Sequence, residues 1–251
     1  IARRQRQMCI RDSGKPALNK NEGFLRGDFE VQDEGSQLLA MLVDAKRGEM
    51  VVDFCAGAGG KTLALGAAMR STGRLYAFDT SGHRLDALKP RMARSGLSNV
   101  HPAAIAHERD DRVKRLAGKM DRVLVDAPCT GLGTLRRNPD LKWRQTLAGV
   151  EEMAVKQAAI LQSAARMVKS GGRLVYATCS ILPQENEAIA QAFAAANPDF
   201  VALPAGEVLT ALKVEGAPSL CAGGEDGQLY LRLWPHKHQT DGFFAAVWEK
   251  K

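Results

Sequence analysis

From Glu30 onward the sequence switches between two hydrophobic periods, and that alternation restricts the fold more than any single motif does. Residues 36–43 are apolar at helical spacing, 50–54 form an apolar run interrupted by Asp53, and 61–69 predict a helix of small residues. Residues 73–78 predict a second strand ending at Asp79, 83–95 a helix stopped by Gly96, and 100–105 a third strand. "DRVLVDAPCTG", residues 121–131, reads as a buried strand that stops at a carboxylate, a proline and a thiol. Residues 150–168 carry apolar positions three and four apart and close on "KSGG", the pattern of a helix C-terminus. "RLVYATCS" predicts another buried strand, 185–196 another helix, and "QLYLRLWP" with "GFFAAVWE" a final antiparallel pair. Repeated strand–helix units give an α/β fold, a doubly wound, mostly parallel sheet with an antiparallel last strand. Ligands of such sheets collect at the carboxyl ends of strands, which is where Asp79, Cys129 and Cys179 fall.

At 251 residues the chain can bury one substantial core, and a single domain over 24–251 is expected. The opening "IARRQRQMCIRDSGK" is densely basic with little apolar periodicity. Residues 1–23 are read as a basic tail, a truncated or artefactual end that carries no site. No apolar run reaches the length of a membrane span, so no membrane association is expected. The cysteines (Cys9, Cys55, Cys129, Cys179, Cys221) are odd in number and never spaced C-x-x-C. That argues against a zinc site or a disulfide framework and fits a reducing, cytoplasmic setting; no metal is expected. Lys and Arg number 35 against 28 Asp and Glu, a net charge of +7 that admits a polyanionic partner without requiring one.

The first strand leads into "DFCAGAGGKT", residues 53–62. Glycines there let the backbone turn tightly beneath a ligand, at the start of a helix. A phosphate-binding G-x-x-x-x-G-K-[ST] loop needs glycine where this chain has Cys55. A dinucleotide G-x-G-x-x-G begins at Gly57 and Gly59 but meets Thr62 in place of its last glycine. The remaining reading is S-adenosylmethionine, which has no phosphates and needs only a G-x-G-like turn under its amino-acid moiety. Asp79, at the end of the next strand, is placed to accept both ribose hydroxyl protons.

Cys129 and Cys179 end the fourth and fifth strands, neighbours in a doubly wound sheet. Singly, each is an ordinary small residue at a strand end. Two thiols at adjacent strand ends, facing a methyl donor, suggest methylation of a pyrimidine at C5. Cytosine C5 is a poor nucleophile until something adds to C6, and a thiolate adds well. A free thiol is only a few per cent ionised near neutrality, so positive charge from Lys61 or the donor sulfonium helps.

In its longer motifs the chain resembles the NOL1/NOP2/Sun family of RNA (cytosine-5) methyltransferases, especially the bacterial Sun or 16S ribosomal RNA type. The resemblance runs over nearly the whole chain after Gly23. It rests on "FEVQDEGSQ", "DFCAGAGGKT", "DAPCTGLGTLRRNPDLKW", "GGRLVYATCSILPQENE" and "LWPHKHQTDGFFAAVWEK". It implies the Rossmann-like fold of S-adenosylmethionine-dependent methyltransferases, and the family's activity, the formation of 5-methylcytosine in RNA. By that likeness Cys179, in the TCS motif, is the nucleophile and Cys129 assists release of the methylated RNA, with Pro128 fixing the backbone before it. Asp126 and Lys61 match positions that hold and polarise the cytosine edge. Cys55, Ala56, Gly57, Ala58, Gly59, Gly60 and Lys61, with Asp79, Arg84 and Asp126, match the cofactor site.

Two departures stand out. Where relatives carry an acid that contacts the adenine, this chain has "AIAHERDD", with His107 nearest that position and Glu108 or Asp110 as shifted substitutes. "AGAGG" stands where relatives more often have a proline. Arg136, Arg137, Lys142 and Arg144, with Trp143 among them, suit RNA phosphates and base stacking. Sun-type relatives often carry an amino-terminal RNA-binding domain, which is not expected in this chain. Ribosomal RNA is the favoured substrate and transfer RNA the second, with the protein acting as a monomer. A non-catalytic RNA-binding or assembly protein on the same fold is the alternative from another class.

Overall fold

The computed structural model describes residues 18–251; the basic opening of the chain, with Cys9, lies outside the described residues. One sheet is built from β1 (Met50–Asp53), β2 (Arg74–Asp79), β3 (Val100–Ala104), β4 (Met120–Asp126), β5 (Val168–Thr178), β6 (Phe200–Leu203), β7 (Cys221–Ala222), β8 (Tyr230–Leu233) and β9 (Phe243–Lys250). Their order in space is β3-β2-β1-β4-β5-β9-β8-β7, with β6 also paired to β9. Strands β1 to β5 are parallel, and β9 runs antiparallel to β5, β6 and β8. The strand order reverses beside β1 and β4, so the crevice of a doubly wound sheet opens over their carboxyl ends.

The longer helices are α1 (Glu34–Val43), α2 (Gly60–Ala68), α3 (Gly82–Ser95), α4 (Leu147–Ala165), α5 (Glu187–Ala196) and α6 (Ala205–Ala211). Residues of α1, α2, α3 and α6 pack in one apolar layer and those of α4 and α5 in the other. Central strands feed both layers. In β9, Phe243, Ala245 and Val247 face one, while Phe244, Ala246 and Trp248 face the other. That is why "FFAAVW" is apolar without a break: β9 is an interior strand between β5 and β8. Each large apolar side chain among them removed from water stabilises the fold by roughly 1.5–3 kcal/mol, more than the ~1 kcal/mol net of a hydrogen bond. The two layers therefore fix where the strand ends lie.

Sequence and structure part in two places. The helix expected over 150–168 is α4, which ends at Ala165, and "KSGG" belongs to β5 instead of capping a helix. A register irregularity opposite Met120 and Arg122 lets Val168 pair with Met120, so pairing starts early. Strands β6 and β7 were not expected. β6 is four residues long with Val201 and Ala202 exposed, so it carries no alternation to read. Among the described residues no helix is long and apolar enough to cross a membrane.

Candidate active site

The loop between β1 and α2 is tied to the end of β2. The Asp79 carboxylate accepts the Gly57 N–H at 2.8 Å and the Ser81 N–H at 2.7 Å, and the Ala56 N–H donates to the Phe78 carbonyl at 2.8 Å. Gly59 starts α2 in the left-handed region (φ 84°), and a Cβ there would lie 2.1 Å from Leu88 Cδ1. Only glycine lets this loop lie against α3.

Above the loop opens a cleft of about 880 Å³. Of the residues expected at a cofactor site, Cys55, Ala56, Gly57, Ala58, Gly60, Lys61, Asp79, Arg84, His107 and Asp126 all line it. Gly59 does not. Its contribution is the close approach to Leu88, so it shapes the loop without lining the cleft. At the far end, the His107 ring lines the cleft while its Nδ1 accepts the Arg109 N–H at 3.1 Å; Glu108 lines it beside His107. Asp110 does not line the cleft. Its carboxylate accepts the Ala106 and Arg112 N–H groups, both at 2.9 Å, capping a short helix (Asp111–Lys114) outside the cleft.

Sequence reasoning passed over Asp53. It is fully buried on the cleft wall; one carboxylate oxygen accepts the Thr62 hydroxyl proton at 2.7 Å and Oδ1 has no partner. Burial pushes its pKa up to about 7, with the Thr62 hydrogen bond opposing and the negative Asp126 adding to the rise. The available signal was its place as a carboxylate ending a buried strand, as Asp79 does.

The other end of the cleft holds the thiols. In the parallel β4–β5 ladder Asp126 pairs with Ala177, so both strands finish side by side. Cys129 and Cys179 then bring their sulfurs to 3.4 Å. Gly133 allows the two loops to touch: its N–H donates to the Cys179 carbonyl at 2.9 Å, and a Cβ there would lie 2.2 Å from the Gly242 carbonyl oxygen. The hydrogen bond from Cys129 holds Cys179 below the ordinary thiol range against burial and the Asp126 charge, with Lys61 assisting. The same bond, burial and nearby negative charge push Cys129 well up. Of the two sulfurs, Cys179 is the one favoured to ionise first.

Lys61 Nζ and the Asp126 carboxylate form an ion pair at 2.6 Å, both side chains largely buried. Burial works against the Lys61 charge, but the attraction and hydrogen bond of Asp126 prevail and hold its pKa above the usual value. Lys61, Asp126 and Cys179 also line a second cavity of about 260 Å³, with Arg137 and Phe243 opposite. Arg137 is held there by an ion pair to the fully buried Asp241. The other predicted RNA contacts line neither cavity. Arg136 donates to the Gln239 carbonyl at 3.3 Å, Arg144 pairs with Asp140 at 2.6 Å, and Lys142 lies 4.7 Å from the centre of the exposed Trp143 ring.

A family model described as "16S rRNA methyltransferase RsmB/F" matches residues 40–249. The chain belongs to this family. The RsmB/F match bears out the resemblance to the NOL1/NOP2/Sun enzymes carried by the "DAPC" and "TCS" motifs. Over 245 residues it is 37% identical to the Synechocystis sp. protein named "Probable ribosomal RNA small subunit methyltransferase B", covering 96% of this chain and 52% of the relative. The crystal structure of PH0851 superposes with a TM-score of 0.84 at 37% identity, over 94% of this chain and 50% of that one. NSun6 from Pyrococcus horikoshii, in a crystal structure with SFG, gives 0.79 at 28% identity over 94% and 56%. The chain thus spans about half the length of the curated RsmB/F relatives it matches.

Proposed function

We propose that this chain transfers a methyl group from S-adenosylmethionine to C5 of cytosine in RNA, with ribosomal RNA as the substrate. The observation that carries this reading is the pair of sulfurs 3.4 Å apart, set where the larger cleft meets the smaller cavity beside Lys61 and Asp126. Two thiols in such contact, one ionising before the other, suit covalent activation of a ring carbon followed by release. The names of the relatives, ribosomal RNA small subunit methyltransferases, support the RNA class.

The cleft suits S-adenosylmethionine. The Asp79 carboxylate stands at its wall with acceptor capacity beyond its two backbone bonds, as ribose hydroxyls require. The orphaned, buried Asp53 Oδ1 calls for a donor or a cation, which the amino group of a methionine moiety provides. A structural neighbour with SFG, an S-adenosylmethionine analogue, supports the same cofactor. Bound there, S-adenosylmethionine supplies an electrophilic methyl group.

The protein's own groups do the rest. The Cys179 thiolate adds to C6 of the cytosine, forming a carbon–sulfur bond and giving C5 the character of a nucleophile. Lys61 and Asp126 hold the edge of the ring in the smaller cavity and polarise it. After C5 is methylated, its proton leaves to a base and the C6–sulfur bond breaks, returning the electrons to Cys179. Cys129, held as a thiol 3.4 Å away, is placed to give its own proton to the departing Cys179 sulfur and to take the C5 proton in exchange, the surplus proton then leaving from Cys179 to solvent. A reactive thiolate needs a reducing compartment, so we assign the protein to the cytoplasm.

Incubation of the purified chain with S-adenosylmethionine and ribosomal RNA, followed by bisulfite sequencing, tests the reading. A cytidine that becomes resistant to conversion only with the protein is expected. Methylation of a ring nitrogen or ribose hydroxyl, with no resistant cytidine, overturns it.

A further inference from the structure

Between the two thiol loops lies a carboxylate with no place in the chemistry above. Glu185 is the last residue of a short 3₁₀ turn (Pro183–Glu185) and its side chain is completely buried. One oxygen accepts the Thr130 N–H at 2.9 Å and the Gln157 side-chain amide at 3.0 Å. The other accepts the Thr130 hydroxyl proton at 2.6 Å and the Ser180 hydroxyl proton. A carboxylate offers about four lone-pair sites, and donors fill all of them.

The donors are not scattered. Thr130 follows Cys129, and Ser180 follows Cys179. Gln157, on α4, also donates to the Pro128 carbonyl at 2.9 Å, so the Cys129 backbone is gripped on both sides. The neighbouring Asn186 completes the frame, accepting the Thr178 hydroxyl proton and donating to the Ser180 carbonyl at 3.0 Å. Tyr176 donates to the Glu185 carbonyl at 2.6 Å, anchoring the turn to β5. Burying a carboxylate so completely is costly unless its donors are already in place. A frame this complete is rigid, and what it fixes is the distance between two sulfurs.

We propose that Glu185 is a positioning residue that locks the Cys129 and Cys179 loops together and sets the division of labour between the two thiols. It acts through Thr130 and Ser180 without touching substrate. Its negative charge also disfavours a thiolate on Cys129, one of the influences that push that group up, so Cys129 stays a donor toward Cys179. The inference rests on the covalent reading of the site, but its test needs neither RNA nor cofactor.

Limited alkylation with iodoacetamide, read residue by residue by peptide mass spectrometry from pH 6 to 10, reports which sulfur is the thiolate. In the parent protein Cys179 should react about tenfold faster than Cys129 near neutrality, since the thiolate and not the thiol is the nucleophile. In Glu185→Gln the freed amide faces groups that are themselves donors, the loops separate, and the ratio should fall toward one as the Cys179 midpoint moves to higher pH. A clip with only a folding role would lower the melting temperature and leave both ratio and midpoint at parent values. That result in a folded variant overturns the proposal, as does a parent protein in which Cys129 reacts first. If Glu185→Gln does not fold, Ser180→Ala removes one donor and keeps the charge. It should move the ratio the same way by a smaller factor, and an unchanged ratio overturns the proposal. A parent protein that shows the expected thiol ratio yet methylates no cytidine counts against the function and not against Glu185.

Discussion

The two ends of the cleft are built by different means. At the end proposed for the cofactor, a glycine-containing loop and the end of β2 are joined by backbone N–H groups donating to one carboxylate, Asp79. At the thiol end, positions 50 residues apart are brought to 3.4 Å by a buried network of side chains. The first kind of construction tolerates change around it, because backbone donors persist whatever side chains surround them. The second depends on individual residues, and loss of one partner leaves others buried without a bond, at about 1–3 kcal/mol each. Substitutions at the thiol end should therefore act on chemistry, and those at the cofactor end on affinity and stability.

The largest effect separates the thiols. Cys179→Ala should abolish methylation and leave no covalent complex, since water does not replace a thiolate as nucleophile. Cys129→Ala keeps attack and methyl transfer but stalls release, so a protein–RNA adduct should survive denaturing electrophoresis and vanish in the double variant. An adduct in the Cys179 variant instead would exchange the two roles.

Next comes Asp53, where the cofactor end shows its own strain. Its folded pKa of about 7 lies above the ordinary 3.8, so between these values the folded chain holds a proton that the unfolded chain has lost. Stability without cofactor should fall as pH rises from about 4 to about 7 and level off above, by at most about 4 kcal/mol. Asp53→Asn removes that slope. Melting curves of the variant and parent should diverge in the variant's favour from pH 5 to pH 8, and parallel curves would place the carboxylate's titration elsewhere.

Asp79→Ala should weaken S-adenosylmethionine binding by about 2 kcal/mol or more, since charge-assisted bonds to ribose and the clamp on Gly57 are lost together. Calorimetry reads this directly, and unchanged affinity removes Asp79 from the cofactor site. The smallest effect concerns His107. If its position on the cleft wall is the adenine contact, His107→Asp should tighten binding by a few-fold, about 1 kcal/mol for one added hydrogen bond. No gain, or a loss, would leave adenine recognition to Glu108.

The same contrast decides what could be read beforehand. The loop from Cys55 to Lys61 and the strand-end Asp79 were legible because their geometry is local: turn residues and a helix start within a few positions. Gly59 was expected at the cofactor loop, but its partner, Leu88, lies in another helix, and pattern alone does not show that contact. Arg137 gave a basic residue but not its ion pair with Asp241, 104 positions away. Glu185 was read as part of a helix start, and its bonds to Thr130, 55 positions away, leave no trace in periodicity. Cys129 and Cys179 were found because parallel neighbours must end side by side.

Strand β9 carries a consequence for how the protein is made. It lies between β5 and β8 in space yet holds the final described strand residues, Phe243–Lys250, and Phe243 faces the Lys61 ammonium group at 5.8 Å. While the chain is still being synthesised, β5 has one unpaired edge and the wall of the smaller cavity is missing. A nascent chain halted before Phe243 would display its thiols beside an open strand, the form most prone to pair with another chain. Completion of the smaller cavity thus waits on Phe243, and the thiol pair gains its full surroundings only once β9 has docked between β5 and β8.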